Sequence, residues 1–534
     1  MKRMLTGRRL IVGSSAVVAL GLAAYVAITA YLRPTIHDPF DRDTSGLSEA
    51  SGTQVVELKD GDAFEMRASM VRKQIGAASV KMLAYNGSVP GPTLKVKQGA
   101  EVTITVANET DLPTTVHWHG IRLDNRFDGA PHATQAPIPV GGSFTYRVRF
   151  PDAGIYWYHP HLREGYAQEQ GLYGNIIVLP DDPNYWGPAN REETLILDDI
   201  LLEDGKIAPF SRSGPTHSAM GRFGNVMLVN GETAYHLQAQ QGEVVRFYLT
   251  NTANTRVFNI RMPGARIKLV GSDSGRYERE EFVDEVLLSP SERAVVEVLF
   301  ERSGQVALEH RTPEHTYVLG NVTVGAQPAQ PSFASVFATL RTDGALAAER
   351  VRLEGDFKRE ADKTLALVGE MAGMGQHGEE HQGGEHQDGD HASPALEWED
   401  TMIAMNRRSS PKNMFWKLID RATGAENHAI DWRFGVGDRL KLRIVNEAES
   451  DHPMQHPFHI HGQRFLILSR DGVQNTNLVW KDTVLVGTGE TVEILVDMTN
   501  PGVWMAHCHI AEHIESGMML SFHVDDLVGT THRE

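Results

Sequence analysis

One ten-residue pattern occurs three times in this chain and restricts its fold more than any other feature. It opens on glycine, alternates apolar and polar residues, and closes on asparagine: Gly99–Asn108, Gly242–Asn251 and Gly437–Asn446. Alternation with a period of two marks a half-buried strand, and glycine and asparagine are turn residues. A second pattern recurs downstream. Gly154-Ile-Tyr-Trp-Tyr-His159-Pro-His161 aligns with Gly502-Val-Trp-Met-Ala-His507-Cys-His509, and the middle copy reads Gly304-Gln-Val-Ala-Leu-Glu309-His310-Arg311. Repetition of this kind means one supersecondary unit built several times. At 534 residues the chain exceeds a single core. Short strands between Gly/Pro/Asn turns predict an all-β protein of three tandem Greek-key β-sandwiches, over 53–182, 190–328 and 346–528.

The histidines sit where these patterns end. Four His-x-His pairs occur: His117/His119, His159/His161, His459/His461 and His507/His509. On a strand each pair points two imidazoles to one face. The last pair encloses Cys508, the only cysteine, which cannot form an intramolecular disulfide. Cys508 points to the opposite face from its two neighbours. Cysteine, a histidine five residues on (His513) and a methionine five beyond that (Met518) are the donor types of a blue-copper electron-transfer site, with His456 the second imidazole. One short strand can then bind metal on both faces, with a short covalent route for an electron between them. The first domain has Pro160 at the cysteine's place. In the middle domain Glu309-His310 replaces the motif, and Phe258-Asn259-Ile260 stands where a His-x-His pair is expected. The middle domain therefore reads as a spacer with no copper site. A cluster built from the pairs of the first and third domains must lie between them.

These segments, HWHG at 117–120, HPH at 159–161, HPFHIHG at 456–462 and HCHIAEHIESGMM at 507–519, resemble the multicopper oxidases, the family of laccase, ascorbate oxidase and bacterial cuprous oxidases. The resemblance runs from about Val55 to Val524 and leaves no ligand position substituted. It implies cupredoxin-like sandwiches and four copper ions. It assigns His456, Cys508, His513 and Met518 to type 1 copper, His117 and His459 to type 2, and His119, His159, His161, His461, His507 and His509 to the type 3 pair. It implies an oxidase that takes single electrons from a small reducing substrate or metal ion and reduces O2 to water. Glu512 and Asp128 match acidic positions that serve proton delivery in such enzymes; the alternatives are a solvated helix charge and a turn cap.

Composition bounds the setting. A formal net charge of −18 argues against nucleic acid as a partner. Residues 1–33 read as a signal peptide or membrane anchor: Lys2, Arg3, Arg8 and Arg9 precede an apolar run over 10–32 that is long enough to span a bilayer. Residues 34–52 follow as a polar linker. The bulk is expected outside the cytoplasm, in the periplasm or at the cell surface. Two features lean toward copper as the electron donor. A His-rich insert over 371–392 is full of soft and borderline ligands, and Met454 and Asp451 stand just before His456 as candidate substrate contacts. Copper tolerance is the leading role; a laccase-like phenol oxidase and a copper-binding envelope scaffold are the alternatives.

Overall fold

The computed structural model describes residues 40–372 and 396–526. The apolar segment 10–32, most of the linker's first half and nearly all of the His-rich insert lie outside the described residues. Among the described residues no helix is long and apolar enough to cross a membrane. From Arg42 onward the chain forms one compact unit. Within it, each third of the chain contributes two larger sheets, of five and four strands in the first, six and five in the middle and seven and five in the third.

The ten-residue repeat does the same job in each sandwich. The strand Glu101–Glu109 pairs parallel to Ala63–Ile75 and antiparallel to Ser143–Arg149. Glu243–Asn251 lies in the same way between Arg191–Ile200 and Arg293–Phe300, and Arg439–Asn446 between Lys363–Met371 and Thr491–Asp497. The opening glycines have φ of 84°, 78° and 97° at Gly99, Gly242 and Gly437, with open space where a Cβ would sit. They are glycine for conformation alone. The closing asparagines are clamps. Each buried side-chain amide donates to one carbonyl of the loop that leads to the next sheet and to carbonyls of the segment that returns from it: Asn108 to Leu112 and Ile138, Asn251 to Arg256 and Leu288, and Asn446 to Met454, Val486 and Gly487. Removing such a clamp leaves buried carbonyls unpaired, at about 1–3 kcal/mol each.

Burial separates the three copies. Val102, Ile104 and Val106 face inward between half-exposed neighbours, as the alternation predicts. Glu243–Asn251 is instead buried along its whole length. One face fills the middle core. Tyr248 on the other packs with Ile155 and Ile177 of the first sandwich and with Val270 and Val295. The middle sandwich is thus fused to the first rather than hung beside it.

The ladders also correct one alignment. His117 faces His159 in the first sandwich and His459 faces His507 in the third. In the middle sandwich the residue facing Glu309 is Arg261. The counterpart of the His-x-His pair therefore starts at Arg261, three residues after Phe258, because the loop before this strand differs in length between copies.

Candidate metal centre

The short strands His117–His119, Gly154–His159, His456–Ile460 and Gly502–Cys508 carry five of the eight paired histidines to the seam between the first and third sandwiches, with His161, His461 and His509 just beyond their ends. All eight are buried. Their nitrogens converge in three groups: His117 with His459 and His119; His119 with His159 and His509; and His161 with His461 and His507. The six histidines expected at one pair of metals thus fall into two triads, each drawing on both domains, with His117 and His459 beside them.

The rings are oriented for metal. Nδ1 of His117, His159, His459 and His507 each donates to a backbone carbonyl, of Asp128, Pro160, Asp482 and Cys508, at 2.8–2.9 Å. His461 Nδ1 donates to the Asp128 carboxylate at 2.9 Å. This leaves Nε2 as the bare, lone-pair nitrogen on each. His119 is reversed: Nε2 faces Asp482 Oδ1 at 3.0 Å, and Nδ1 is free. The free nitrogens of His117, His119, His159 and His459, and both of His509, are buried without any hydrogen-bond partner. Nε2 of His461 and of His507 stand 3.0 Å apart with no proton to share in these tautomers. Burial lowers the pKa of His119, His159, His459, His507 and His509 far below the ordinary imidazole range, with their mutual repulsion adding to it. Burial also lowers His161 and His461 to about 4. Only His117 is raised, because Asp128 outweighs the burial. Neutral rings with orphaned lone pairs are costly in a dry interior, and a cation is the partner that satisfies them. The residues present fit a three-metal cluster.

Asp128 is buried between two of these rings, its carboxylate on His461 and 3.3 Å from His117 Nδ1. Burial opposes its ionisation, but the two imidazoles hold its pKa far below the usual carboxylate range. It is a partner of ring nitrogens rather than only a turn cap. Asp482 has the matching place on the other side, with its carboxylate on His119 and its carbonyl on His459. Nothing in the sequence singled it out: it is one acid among many before the strand Thr483–Val486. Glu164 was missed in the same way. Its Oε1 lies 3.2 Å from His159 Nδ1 and 3.8 Å from His509 Nε2.

On the other face of the Gly502–Cys508 strand, Cys508 Sγ lies 3.5 Å from His456 Nδ1 and 3.7 Å from His513 Nδ1, and the two nitrogens are 3.3 Å apart. A metal bonded at roughly 2.0–2.3 Å to such donors spaces them about 3.3–3.8 Å from one another. Burial pushes the Cys508 thiol well up, so metal must displace its proton. Met518 is fully buried, and its carbonyl accepts from Cys508 N at 3.2 Å. The helix Ala511–Glu515 turns His513 inward, where its ring stacks on Trp416 with centroids 4.0 Å apart. His513 Nε2 donates to the carbonyl of Ala219 in the middle sandwich. That domain therefore touches the site it was expected only to space.

The remaining predicted residues divide. Glu512 is buried, not solvated; burial, with Glu515 and Glu169 nearby, lifts its pKa to about 8, and Oε2 accepts from Arg222 N. Met454 is fully buried in the core that holds Cys508 and Met518. Asp451 is exposed and accepts from Met371 N, at the edge of the insert.

Comparison with known proteins agrees with this geometry. Residues 68–183 and 398–527 match two family descriptions, both multicopper oxidase. The chain is 27% identical over 479 residues to the multicopper oxidase MmcO of Mycobacterium tuberculosis, covering 84% of each chain. It is 25% identical over 446 residues to the multicopper oxidase mco of Staphylococcus aureus, covering 82% of each. Among solved structures, a multicopper oxidase from Campylobacter jejuni, described as a metallo-oxidase, superposes with a TM-score of 0.65 at 22% identity over 92% of this chain and 100% of that one.

Proposed function

The chain belongs to the multicopper oxidases, copper-dependent oxidoreductases with O2 as acceptor, and from that premise we propose that it oxidises Cu(I) outside the cytoplasm as part of copper tolerance. When bound, four coppers would supply one-electron oxidation of the donor coupled to reduction of O2 to two waters with four electrons and four protons.

The chain's own residues define the roles. His456, Cys508, His513 and Met518 would hold the copper that receives electrons. His117 and His459 would hold a second, and the triads His119/His159/His509 and His161/His461/His507 the remaining two. The observation that carries this reading is the Gly502–Cys508 strand: Cys508 Sγ meets His456 and His513 on one face, while the adjacent His507 and His509 join opposite triads. Cys508 is thereby bonded through the backbone to a residue of each triad. Asp128 and Asp482 hold ring tautomers. Glu512, a buried acid one residue from His513, would hold at its carboxyl a proton for O2 reduction. Burial of the whole seam keeps out bulk water.

Soft donors favour copper over phenol as substrate. Met371, Met402 and Met405 pack, half-buried, against the core that contains Cys508. His452, 8% exposed, has a buried Nε2 with no partner, and its ring lies 6.0 Å from Trp416. Thioethers and imidazole suit Cu(I) and do little for a phenol. Steady-state O2 uptake with Cu(I), Fe(II), Mn(II) and a phenol, side by side, tests this. The expected result is the highest kcat/KM for Cu(I), and a His452→Ala variant that loses Cu(I) turnover more than phenol turnover. A higher kcat/KM for the phenol, with His452→Ala affecting both alike, would make it a laccase-like enzyme instead.

A further inference from the structure

Arg293, in the sandwich that supplies no ligand, is fully buried. A guanidinium in a dry interior persists only where its donors are matched. Its Nε donates to the Ile155 carbonyl of the first sandwich at 3.0 Å. Nη1 donates to the Ser291 carbonyl of its own sandwich at 2.9 Å and to Asp482 Oδ1 of the third at 2.6 Å, and Nη2 donates to Asp482 Oδ2 at 2.5 Å. Three domains meet on one side chain. The fork-to-fork geometry fixes the plane of the Asp482 carboxylate. That carboxylate faces His119 Nε2 at 3.0 Å, and the Asp482 carbonyl accepts from His459 Nδ1 at 2.8 Å.

We propose that Arg293 is a positioning residue of the three-metal site: by locking Asp482 it fixes the reversed ring of His119, and with it the carbonyl that orients His459. The inference rests on the assignment of His119 and His459 as ligands. The reversal needs such a lock. Among the eight paired histidines, those with an assigned Nδ1 partner turn Nε2 to the cluster, and His119 alone donates from Nε2 so that Nδ1 faces it. The next residue explains its own identity. Gly120 has φ of +82°, and a Cβ there would lie 2.3 Å from Asp482 Oδ2 and 2.8 Å from Arg293 Nη2. The glycine of HWHG leaves room for the ion pair.

The test compares copper-loaded wild type with Arg293→Met, Arg293→Lys, Asp482→Asn and Gly120→Ala, reading copper per chain, the blue absorption, and the electron paramagnetic resonance and near-ultraviolet signals of the cluster. Lys268→Met is the control, since Lys268 is equally buried in the same sandwich and pairs with Glu297 at 2.9 Å, away from any ligand. Arg293→Met is expected to stay blue, to lose about 10–100-fold in affinity for the cluster coppers and to change the cluster signals. Arg293→Lys should lose less, because a point charge cannot grip both carboxylate oxygens. The double variant Arg293→Met/Asp482→Asn should lose no more than the worse single one. If Arg293→Met does not fold, Arg293→Lys and Gly120→Ala carry the same comparison. Unchanged cluster signals and affinity in the folded variants, with melting temperatures lowered as in Lys268→Met, would make Arg293 merely structural. If wild type itself binds fewer than four coppers, the ligand assignment fails, and that outcome is separate.

Discussion

The middle and third sandwiches run the same ladder to opposite ends. Six residues after the strand-opening glycine stand His310 in one and Cys508 in the other, and both face buried cores. Around Cys508 stand His456, His513 and Met518. Around His310 stand Phe258 and Tyr317, with ring centroids 5.1 and 5.8 Å away. His310 spends its Nδ1 on the Asn259 N–H at 3.0 Å, and among the described residues it joins no metal-binding group. The backbone is therefore permissive. A handful of side chains decides whether a copy holds metal, and the copy without metal is free to brace the others through Arg293 and Ala219.

The largest effect expected from breaking this contrast is at Cys508. Cys508→Ser replaces a soft thiolate by a hydroxyl, so the blue absorption and oxidase turnover should both fall to background. His507 and His509 remain, so the cluster coppers should stay bound in the metal analysis. Retained blue colour would remove Cys508 from the site.

Breaking the other face of the same strand should separate colour from function. His461→Ala, with its triad reduced to His161 and His507, should stay blue yet take up no O2. It should also unfold earlier, because a cluster bridging first and third sandwiches couples metal binding to their docking. Chelating copper from wild type should lower the melting temperature in the same sense. Full O2 uptake by His461→Ala would refute a cluster at the seam.

A smaller effect is expected at Glu512, which is buried, whereas Glu314 at the same interval in the middle sandwich's hairpin is exposed. Glu512→Gln fills the same space but cannot carry a proton, so turnover should drop by about 10²-fold. Copper content and colour should hold. Unchanged turnover would leave Glu512 as a buried packing partner of Arg222.

The residues that meet in the structure were legible where the chemistry is local in sequence. His-x-His, Cys508 and His513 lie within a few residues of one another, and the strand period assigns their faces without knowledge of the fold. The three-fold repeat was legible for the same reason, since a positive-φ glycine and a clamping asparagine bracket each strand. What depends on packing between domains was not. The division of six histidines into two triads follows from how the first and third sandwiches dock. Asp482, Glu164 and Arg293 are single charged residues whose partners lie up to several hundred positions away. The three-residue offset at Phe258 came from counting along a sequence whose loops differ in length, where the ladder counts across strands.

The smallest expected effect tests whether sequence spacing alone can make a site. His315 stands five residues after His310, the same interval that separates His513 from Cys508. His310→Cys therefore recreates the Cys-x4-His spacing inside the middle sandwich. The local structure differs, however. In the third sandwich the interval contains the helix Ala511–Glu515, which carries His513 into the core. In the middle one, Gly304–Arg311 turns directly into Thr316–Pro328, and His315 sits exposed in that hairpin. The counterpart of His456 by ladder register is Phe258. His310→Cys should bind no additional copper and add no second blue band, and Phe258→His/His310→Cys should add none either, because the second imidazole still points to water. The expected cost is only the bond to Asn259, which leaves a buried N–H unpaired, about 1–3 kcal/mol in the denaturant midpoint of the copper-free protein. A fifth copper with a second blue absorption in either variant would mean that the spacing, and not the helix that turns His513 inward, makes the third sandwich different.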